Sequence, residues 1–365
     1  MARRSSSRPS AEDIVRGRRA EIVDRVIALM QRDGLRWMEP WLPALTPHNP
    51  LSKVTYSGRN RLHLAYAAYA KGFEDRRWCT YNQAENAGWH VRKGERGFLV
   101  EKWGVPTHKE TQRDEETGKD EEVTVASGRP RLLRYHIVFN LEQVKGDIPP
   151  EEVPTHEEDE TRGIAENLIL SSRCPVVQST QYLGRAAFAP LEDRIVIAPM
   201  DTFKSDECFT RTLLHEMTHS TGHESALNRD VINRFGTPGY AKEELTAELG
   251  SLFMSADLGI QNASYDDAHF ESHAAYLQSW LSALEDNPSY LFDAAAAADR
   301  AGAYVMERYE RQLERTRERE APELEQGYDL ASESRDMIAA SKELAIEETM
   351  AERTQERADT RGEEH

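Results

Sequence analysis

Two histidines and a glutamate in the second half of the chain have the types and the spacing of a metal site. The stretch LLHEMTHSTGH, residues 213–223, contains His215, Glu216 and His219 in the pattern H-E-x-x-H, with His223 one turn further on. Residues four apart lie on one face of a helix, so the two imidazoles can bind one ion. Glu216 is rotated by about 100° around the axis, where its carboxylate can take a proton from a metal-bound water that attacks a carbonyl group. A catalytic zinc site also needs a third protein ligand and an open fourth position.

Acidic residues further along the chain are candidates for the third ligand. In YAKEELTAELGSLFM, Glu244 and Glu248 lie on one helical face, 29 and 33 residues after His215. Tyr240, just before this helix, is a candidate to stabilise an oxyanion, although a lone tyrosine in such a place more often packs. The alternative interpretation is an ordinary amphipathic helix whose histidines and acids face water.

The pattern as a whole resembles the zincin metallopeptidases whose third ligand is a glutamate. In that family a glutamate, two variable residues, a small residue and an acid follow one another, and Glu244, Ala247 and Glu248 match this order. The resemblance implies that Glu244 is the ligand and that Glu248 orients a ligating histidine; the reverse assignment stays open. A metzincin would have a third histidine at Ser225, so His223 is interpreted as a supporting group around the site or a surface residue.

The elements that must position these residues are predicted from periodicity and capping. The motif helix should run from about Ser205 to Thr221, with Phe209, Leu213 and Met217 as its buried stripe. Upstream, RAAFAPLEDRIVIAPM predicts two strands, of which 194–198 is a candidate edge strand for holding an extended peptide. Further helices are predicted near 164–170 and over 241–257, 267–286 and 288–314.

The first part of the chain predicts a small mixed domain. A helix should begin at the cap Ser10 and end at Gly34, and shorter helices should cover about 60–71 and 82–87. GFLVEKW and RLLRYHIVFNL read as paired strands. The polar stretch between them, residues 104–131, is interpreted as a long surface insertion.

Charge divides the chain unevenly. Residues 1–146 hold 26 Lys and Arg against 19 Asp and Glu, a net charge of +7, whereas the remainder holds 20 against 45, a net charge of −25. This division suggests an anionic partner for the first part. No apolar run approaches the ~20 residues that span a membrane, and Cys79, Cys174 and Cys208 are scattered. We expect a soluble, cytoplasmic protein without disulfides or a membrane partner; the sequence predicts no oligomeric state.

Basic and aromatic residues alternate in the first part. Basic groups that follow a backbone, among rings on which bases stack, are typical of single-stranded nucleic acid binding without sequence preference. The alternative is that most of these rings belong to the core; Phe98 and Trp103 in particular are expected there. The candidate DNA-binding residues are Tyr56, Arg59, Arg61, Arg76, Arg77, Trp78, Trp89, Arg92, Lys93 and Arg96.

Several blocks of the sequence resemble the ArdC-type antirestriction proteins of plasmids and phages. They are PHNPLSKVTYSGRNRLHL, RRWCTYNQAENAGWHVRKGERG, LLHEMTHSTGHESALNR and YAKEELTAELGSLFM, in this order over roughly 15–310. The resemblance implies an N-terminal single-stranded-DNA-binding domain, also found on plasmid primases, and a C-terminal zincin-like domain. It further implies that the protein protects incoming DNA from host restriction.

The sequence therefore predicts an α+β protein of two domains. A small α+β module that binds single-stranded DNA precedes a mostly helical zincin-like metallopeptidase domain with a short antiparallel sheet. Zn²⁺ would be the cofactor, and the peptidase substrate would be an unidentified protein. The alternatives are a non-enzymatic protein that coats single strands and holds a structural zinc, and a primase or replication accessory. The expected boundaries are 1–146 for the first domain, 147–162 for an acidic linker, 163–317 for the second domain and 318–365 for a charged tail.

Overall fold

The computed structural model divides the chain into two compact units, Met1–Tyr309 and Glu310–His365. All elements named below belong to the first unit; in the second, residues 310–319 are helical. The expected charged tail, 318–365, lies outside the described residues except for its first two positions. No helix among the described residues is long and apolar enough to cross a bilayer. The residues that the structure describes are 9–113, 120–151, 158–234, 236–260 and 267–319.

The first helix, α1 (Ala11–Asp33), has the ends that its sequence predicts. The Ser10 hydroxyl accepts the backbone N–H of Asp13, and the Asp13 carboxylate accepts the backbone N–H of Ser10, which forms a capping box. Gly34 ends the helix with a positive φ of 62°, and its N–H donates to the carbonyl of Met30. An irregular 3-10 segment, Gly34–Ala44, follows.

Two helices and three small sheets follow in the first part of the chain, one of them the hairpin at 107–126. The strands β1 and β3 both pair antiparallel with β6, so that β6 lies in the centre, and β2 pairs with β7. The predicted pairing of GFLVEKW with RLLRYHIVFNL is the β3–β6 ladder. The elements are α2 (Gly58–Lys71), β1 (Trp78–Thr80), α3 (Tyr81–Asn86), β2 (His90–Val91), β3 (Phe98–Gly104), β6 (Arg131–Asn140) and β7 (Val144–Lys145).

The stretch 104–131 is not a structureless insertion. It contains a β-hairpin whose strands, β4 (Thr107–Arg113) and β5 (Asp120–Ala126), pair antiparallel from Thr107 opposite Ala126 to Arg113 opposite Asp120. Every described residue of β4 is exposed. Without a buried face, β4 lacks the alternation of apolar and polar residues by which a strand is recognised in a sequence, and in β5 the alternation is confined to Val123, Thr124 and Val125.

The second part of the chain is mostly helical, with one three-stranded sheet. The central strand of this sheet, β10, pairs antiparallel with β9 and parallel with β8. The prediction that 194–198 is an edge strand is therefore wrong, because β10 is the central strand and β9 lies at an edge of the sheet. The elements are α4 (Glu158–Ser171), β8 (Val176–Gln178), β9 (Ala186–Ala189), β10 (Arg194–Ile197), α5 (Asp206–Ser220), α6 (Pro238–Asp257), α7 (Asp267–Asp286) and α8 (residues 289–309).

One hydrophobic core joins the two parts. Trp37 and Trp41 of the 3-10 segment are buried in the same cluster as Phe253 of α6, Trp280 of α7 and Phe292 of α8. Because side chains from both parts bury apolar surface against each other, this cluster stabilises their association as well as each part. The α+β fold class is as predicted.

Candidate metal centre

Helix α5 carries the H-E-x-x-H residues. The Ser205 hydroxyl caps it by accepting the backbone N–H of Cys208. Phe209, Leu213 and Met217 are buried, as the apolar stripe predicts. The stripe fixes the rotation of the helix, so that His215, Glu216 and His219 line one cleft.

Helix α6 approaches α5 closely because Gly250 has no side chain. A Cβ on Gly250 would lie 2.6 Å from the hydroxyl oxygen of Thr218 on α5 and 2.7 Å from its methyl carbon. The Thr218 hydroxyl itself donates to the Leu214 carbonyl at 2.8 Å. The contact therefore leaves no room for a methyl group, and the close approach brings the acids of α6 against the histidines of α5.

Three donor atoms converge in the cleft. The Nε2 atoms of His215 and His219 are 3.1 Å apart, and the Glu244 carboxylate oxygens lie 3.6 Å from His215 Nε2 and 3.8 Å from His219 Nε2. Donors about 2.1 Å from a tetrahedral zinc stand roughly 3.4 Å apart. The three residues therefore fit one ion, and their ligand atoms all lie within 4.8 Å of one another.

Each histidine faces a second, different glutamate. Glu248 Oε2 lies 3.8 Å from His215 Nδ1, while its Oε1 accepts Arg211 Nη2 at 2.7 Å. Glu243 Oε1 lies 3.2 Å from His219 Nδ1. Carboxylates at the second nitrogen of a ligating imidazole fix its tautomer and orientation. Glu248 is thus placed for the supporting role that the resemblance implies.

Glu243 and its partner Arg229 are residues that sequence reasoning missed. Arg229 donates to both oxygens of Glu243, at 2.7 and 3.1 Å, and also to the Thr218 carbonyl and the Thr221 hydroxyl. Glu243 directly precedes the predicted ligand Glu244, and this position is the feature of the sequence that could have indicated its role. Arg229 lies in a loop without periodicity, so nothing in the sequence marks it.

Glu216 is held by the edge strand. Its Oε2 accepts the backbone N–H of Phe188 in β9 at 2.7 Å. The side chain is buried and lines the cleft beside the two histidines. The cleft has a volume of about 420 Å³ and is bordered by residues 184–188. Of the two strands predicted from RAAFAPLEDRIVIAPM, β9 borders the cleft and β10 does not.

Two further candidates from the sequence lie around the cleft. Tyr240 lines it and hydrogen-bonds to the Glu244 carboxylate. His223 lies outside the group of three donors: its Nδ1 is 2.9 Å from the Ser225 hydroxyl, and its ring meets Phe188 edge to face. His223 is thus a partly exposed residue at the periphery of the site.

The electrostatics of the site favour a cation. Burial lowers the pKa of His215, but the carboxylates of Glu244 and Glu248 outweigh burial and raise it to about 10. Burial likewise raises the pKa of Glu244, but His215 and His219 outweigh it and lower this pKa to about 2. Arginines pair with Glu243 and Glu248, whereas Glu216 and Glu244 have none among the described residues. With neutral imidazoles, two negative charges remain, which one divalent ion would balance.

The aromatic candidates for DNA binding are mostly parts of the interior. Trp78 is 1% exposed and packs against Phe73 and Phe98, and Trp89 is 8% exposed with its indole N–H donating to the Asp147 carbonyl. Tyr56 is partly buried. The rings of Trp78 and Trp89 therefore present no face on which a base can stack, whereas Tyr56 lines a surface cavity. Trp103 is 40% exposed, so the prediction that it belongs to the core is wrong.

Four of the arginine candidates hold the fold together. Arg61 is buried and forms a two-point ion pair with Asp257 of α6, and Arg59 pairs with Asp293 of α8 at 2.7 Å. Both pairs join a basic residue of the first part to an acidic residue of the second. Part of the charge difference between the two parts is therefore balanced by ion pairs within the protein. Arg76 and Arg77 pair with Glu151 and Asp75.

The remaining three candidates lie together at the surface. Arg92, Lys93 and Arg96 are exposed in the loop between β2 and β3. The Arg92 guanidinium donates to the Glu142 carbonyl, and the side chains of Lys93 and Arg96 make no hydrogen bond or ion pair within the described part of the chain. These three are available to an anionic ligand.

Two family models match the chain. Residues 17–139 match the N-terminal domain of the anti-restriction factor ArdC, and residues 164–297 match a zincin-like metallopeptidase domain. Two crystal structures of the antirestriction ArdC protein from the R388 plasmid have similar folds. The metal-free one is 32% identical with a TM-score of 0.60, and the Mn(II)-bound one is 31% identical with a TM-score of 0.59. The matches cover 80% of this chain and 98% and 97% of those chains.

Curated relatives include much longer proteins. Two DNA primases TraC of Escherichia coli are each 34% identical, over 342 and 303 residues. These matches cover 89% and 80% of this chain but only 30% and 20% of the primases, so the chain spans less than a third of their length. The uncharacterised protein y4eC of Sinorhizobium fredii is 32% identical, and the match covers 78% of this chain and 90% of that protein.

Proposed function

The chain belongs to the ArdC family of antirestriction proteins, and we propose that it is a zinc-dependent peptidase that binds single-stranded DNA. In this role it would protect incoming plasmid or phage DNA from host restriction. The observation that carries the peptidase assignment is the convergence of His215, His219 and Glu244 on one point, beside the buried carboxylate of Glu216. A structural metal site has no need of such a base.

The metal ligands in this proposal are His215, His219 and Glu244. Two imidazole nitrogens and one carboxylate oxygen are a donor set typical of catalytic zinc. The ArdC protein of known structure was crystallised with Mn(II); with nitrogen ligands zinc binds more tightly than manganese. Bound zinc would polarise a carbonyl group and lower the pKa of a water ligand to about 7.

The residues of the chain itself would then carry the proton transfers. The Glu216 carboxylate takes the proton of the attacking water and passes it to the leaving amine. Tyr240, which also lines the cleft, would donate its hydroxyl to the carbonyl oxygen as negative charge develops there. The substrate backbone would pair with β9, as an added strand at a sheet edge.

The DNA-binding half of the proposal relies on the family and on exposed cations. Among the predicted residues, Lys93 and Arg96 form no side-chain hydrogen bond or ion pair with the described residues, and Arg92 is exposed although its guanidinium donates to the Glu142 carbonyl. These three would contact phosphate groups. Because the family's name describes protection of DNA and not a reaction, cleavage of a protein and coating of a strand are separate components of the proposal.

One experiment tests both components. The purified protein is analysed for metal content and for binding of a fluorescent single-stranded oligonucleotide, and is then incubated with a recipient-cell extract, with and without the oligonucleotide. New protein termini identified by mass spectrometry, absent from the extract treated with Glu216→Ala protein, support the peptidase. Metal and DNA binding without any new terminus would reject the peptidase and leave a DNA-coating protein.

A further inference from the structure

A second cavity lies between the sheet of the first part and helix α8. Its volume is about 720 Å³, and its lining includes Arg59, Lys102, Trp103, His136 and Arg300. We call it the sheet groove. Its volume lies in the range of roughly 300–1,000 Å³ that drug-sized ligands occupy, which is room for one or two nucleotides of a single strand.

The sheet contributes cations that the protein does not neutralise. Lys102 of β3 lies directly opposite Arg134 of β6. His136 follows Arg134 by two residues, so it lies on the same face of the sheet, opposite Val100. Like charges directly opposite each other destabilise an antiparallel ladder. All three side chains are exposed, and none makes a hydrogen bond or an ion pair with another described residue. A bound polyanion would relieve this repulsion.

Helix α8 adds a third cation to Lys102 and Arg134 from the other side, while His136 contributes a ring N–H that can donate to a phosphate oxygen. Arg300 is exposed and likewise has no hydrogen bond or ion pair among the residues described. Burial lowers its pKa, and the neighbouring Arg59 and Arg229 lower it further, against Asp299 and Asp293. Asp293 is already paired with Arg59, and Asp299 accepts the backbone N–H of Gly58. The nearby acids are therefore engaged elsewhere.

The sheet groove continues toward the metal centre. A middle cavity of about 490 Å³ shares Arg59 and Arg300 with the groove, and it is also lined by the exposed Lys242. The middle cavity in turn shares Asn233 and Glu243 with the cleft of the metal centre. The acids of the middle cavity are Asp230, Glu243 and Asp293, of which Glu243 and Asp293 are paired with Arg229 and Arg59. Lys242 and Arg300 remain as cations along the adjoining cavities, an arrangement that fits an extended polyanion better than a small anion.

We propose that the sheet groove is the main binding site for single-stranded DNA, with phosphates on Lys102, Arg134, His136 and Arg300 and the strand continuing past Lys242. The inference rests on the proposed DNA-binding function and places it on both parts of the chain rather than on the first part alone. A protein bound to the same strand would thereby be presented to the metal centre.

The test uses the full-length chain and a fluorescein-labelled 20-nucleotide oligo-dT in anisotropy titrations. The double variant Lys102→Glu/Arg300→Glu should bind at least about tenfold more weakly at low salt. The milder Lys102→Gln and Arg300→Gln should each reduce the slope of log affinity against log salt by about 0.7, one phosphate contact. Lys242→Glu should weaken binding of the 20-mer but not of a 4-mer.

The matched control is Arg25→Glu. Arg25 is exposed on α1, forms no ion pair among the described residues and lines none of the three cavities, so this variant should bind as wild type. Since all the substituted side chains are exposed, the variants should remain folded, and melting curves check this. If the double variant is unfolded, the two glutamine variants test the proposal in its place.

The outcomes separate the inference from the proposed function. If wild-type protein does not bind the oligonucleotide, the proposed DNA binding itself is wrong. If wild type binds and the charge variants of the groove bind equally well, the inference alone is overturned. Loss of binding in Lys93→Glu/Arg96→Glu together with wild-type behaviour of the groove variants would place the strand on the loop between β2 and β3.

Discussion

The carboxylate of Glu216 accepts a 2.7 Å hydrogen bond from the backbone N–H of Phe188. This bond joins the motif helix α5 to the edge strand β9, so one contact positions both the proposed base and the strand proposed to hold a substrate. A buried carboxylate with a fixed donor has little freedom to rotate toward the ligands. The geometry therefore favours a base, rather than a fourth metal ligand, at this position.

Replacing Glu216 by alanine should abolish proteolysis and leave metal content unchanged, because Glu216 holds no metal in the proposed site. Elemental analysis and the cleavage assay measure the two properties on the same preparation. Glu224→Ala, which removes an exposed acid just after the motif helix, is the matched control and should keep both. Loss of metal from the Glu216 variant would contradict the proposed ligand set.

Replacing His219 by alanine should remove the metal and its contribution to stability. A ligand that binds only the folded state at about 100 times its Kd stabilises that state by roughly 2.7 kcal/mol. The melting temperature with zinc should therefore fall to that of the metal-free protein. His223→Ala should melt as wild type, since His223 lies outside the three donors. Full zinc occupancy in the His219 variant would show that the site is elsewhere.

The sequence could predict the site's donors but not their supports. A spacing of four places His215 and His219 on one helical face whatever the rest of the fold does, and a second local pattern points to Glu244. Arg229 reaches Glu243 from a loop 14 residues away, and Phe188 reaches Glu216 through its backbone. Neither contact leaves a local signal, since both depend on how separate elements pack.

The same distinction applies to the candidate DNA-binding residues. Local composition marks Arg59 and Arg61 as basic residues of the first part, but it does not show that they form ion pairs with Asp293 and Asp257, about 200 residues further along the chain. Conversely, the cation pair Lys102–Arg134 depends on the register of β3 against β6. Register decides which side chains share a face, and two isolated cations in a sequence do not reveal it.

Replacing Arg229 by methionine should weaken metal binding without removing a ligand. The variant releases Glu243 from its two-point contact, so His219 loses a fixed partner. Such supporting contacts typically account for 10–100-fold in metal affinity. Competition with a fluorescent zinc chelator measures the effect. The control is Arg234→Met, since Arg234 is an exposed arginine of the same loop whose side chain forms no hydrogen bond or ion pair with the described residues. Equal affinities in the two variants would refute a supporting role for Arg229.

Replacing Gly250 by alanine should separate α5 from α6. The new methyl group would meet Thr218 at 2.6 Å, and overpacking of this kind typically costs about 1–3 kcal/mol. Metal affinity should fall as well, because α6 carries Glu244. Gly17→Ala in α1 is the control: a Cβ there has nothing within 4 Å, so the variant should gain up to about 1 kcal/mol. Urea unfolding should give a lower free energy of unfolding than wild type for Gly250→Ala and a higher one for Gly17→Ala. A stabilised Gly250→Ala would contradict the close helix contact.

A buried histidine away from the metal centre should make the fold sensitive to acid. Burial lowers the pKa of His63 on α2 to about 4; Glu101 and a hydrogen bond to the Leu99 backbone oppose this shift, and Arg18 and Arg19 add to it. The folded-state pKa lies below the unfolded value of about 6.5, so the unfolded chain binds the proton first as pH falls. The stabilisation is complete above pH 6.5 and is lost between about pH 6.5 and 4, by roughly 3 kcal/mol. His63→Gln should lack this component, so urea unfolding at a series of pH values should give a flatter profile than wild type at equal metal content. Parallel profiles for the two proteins would show that His63 is not buried in its neutral form.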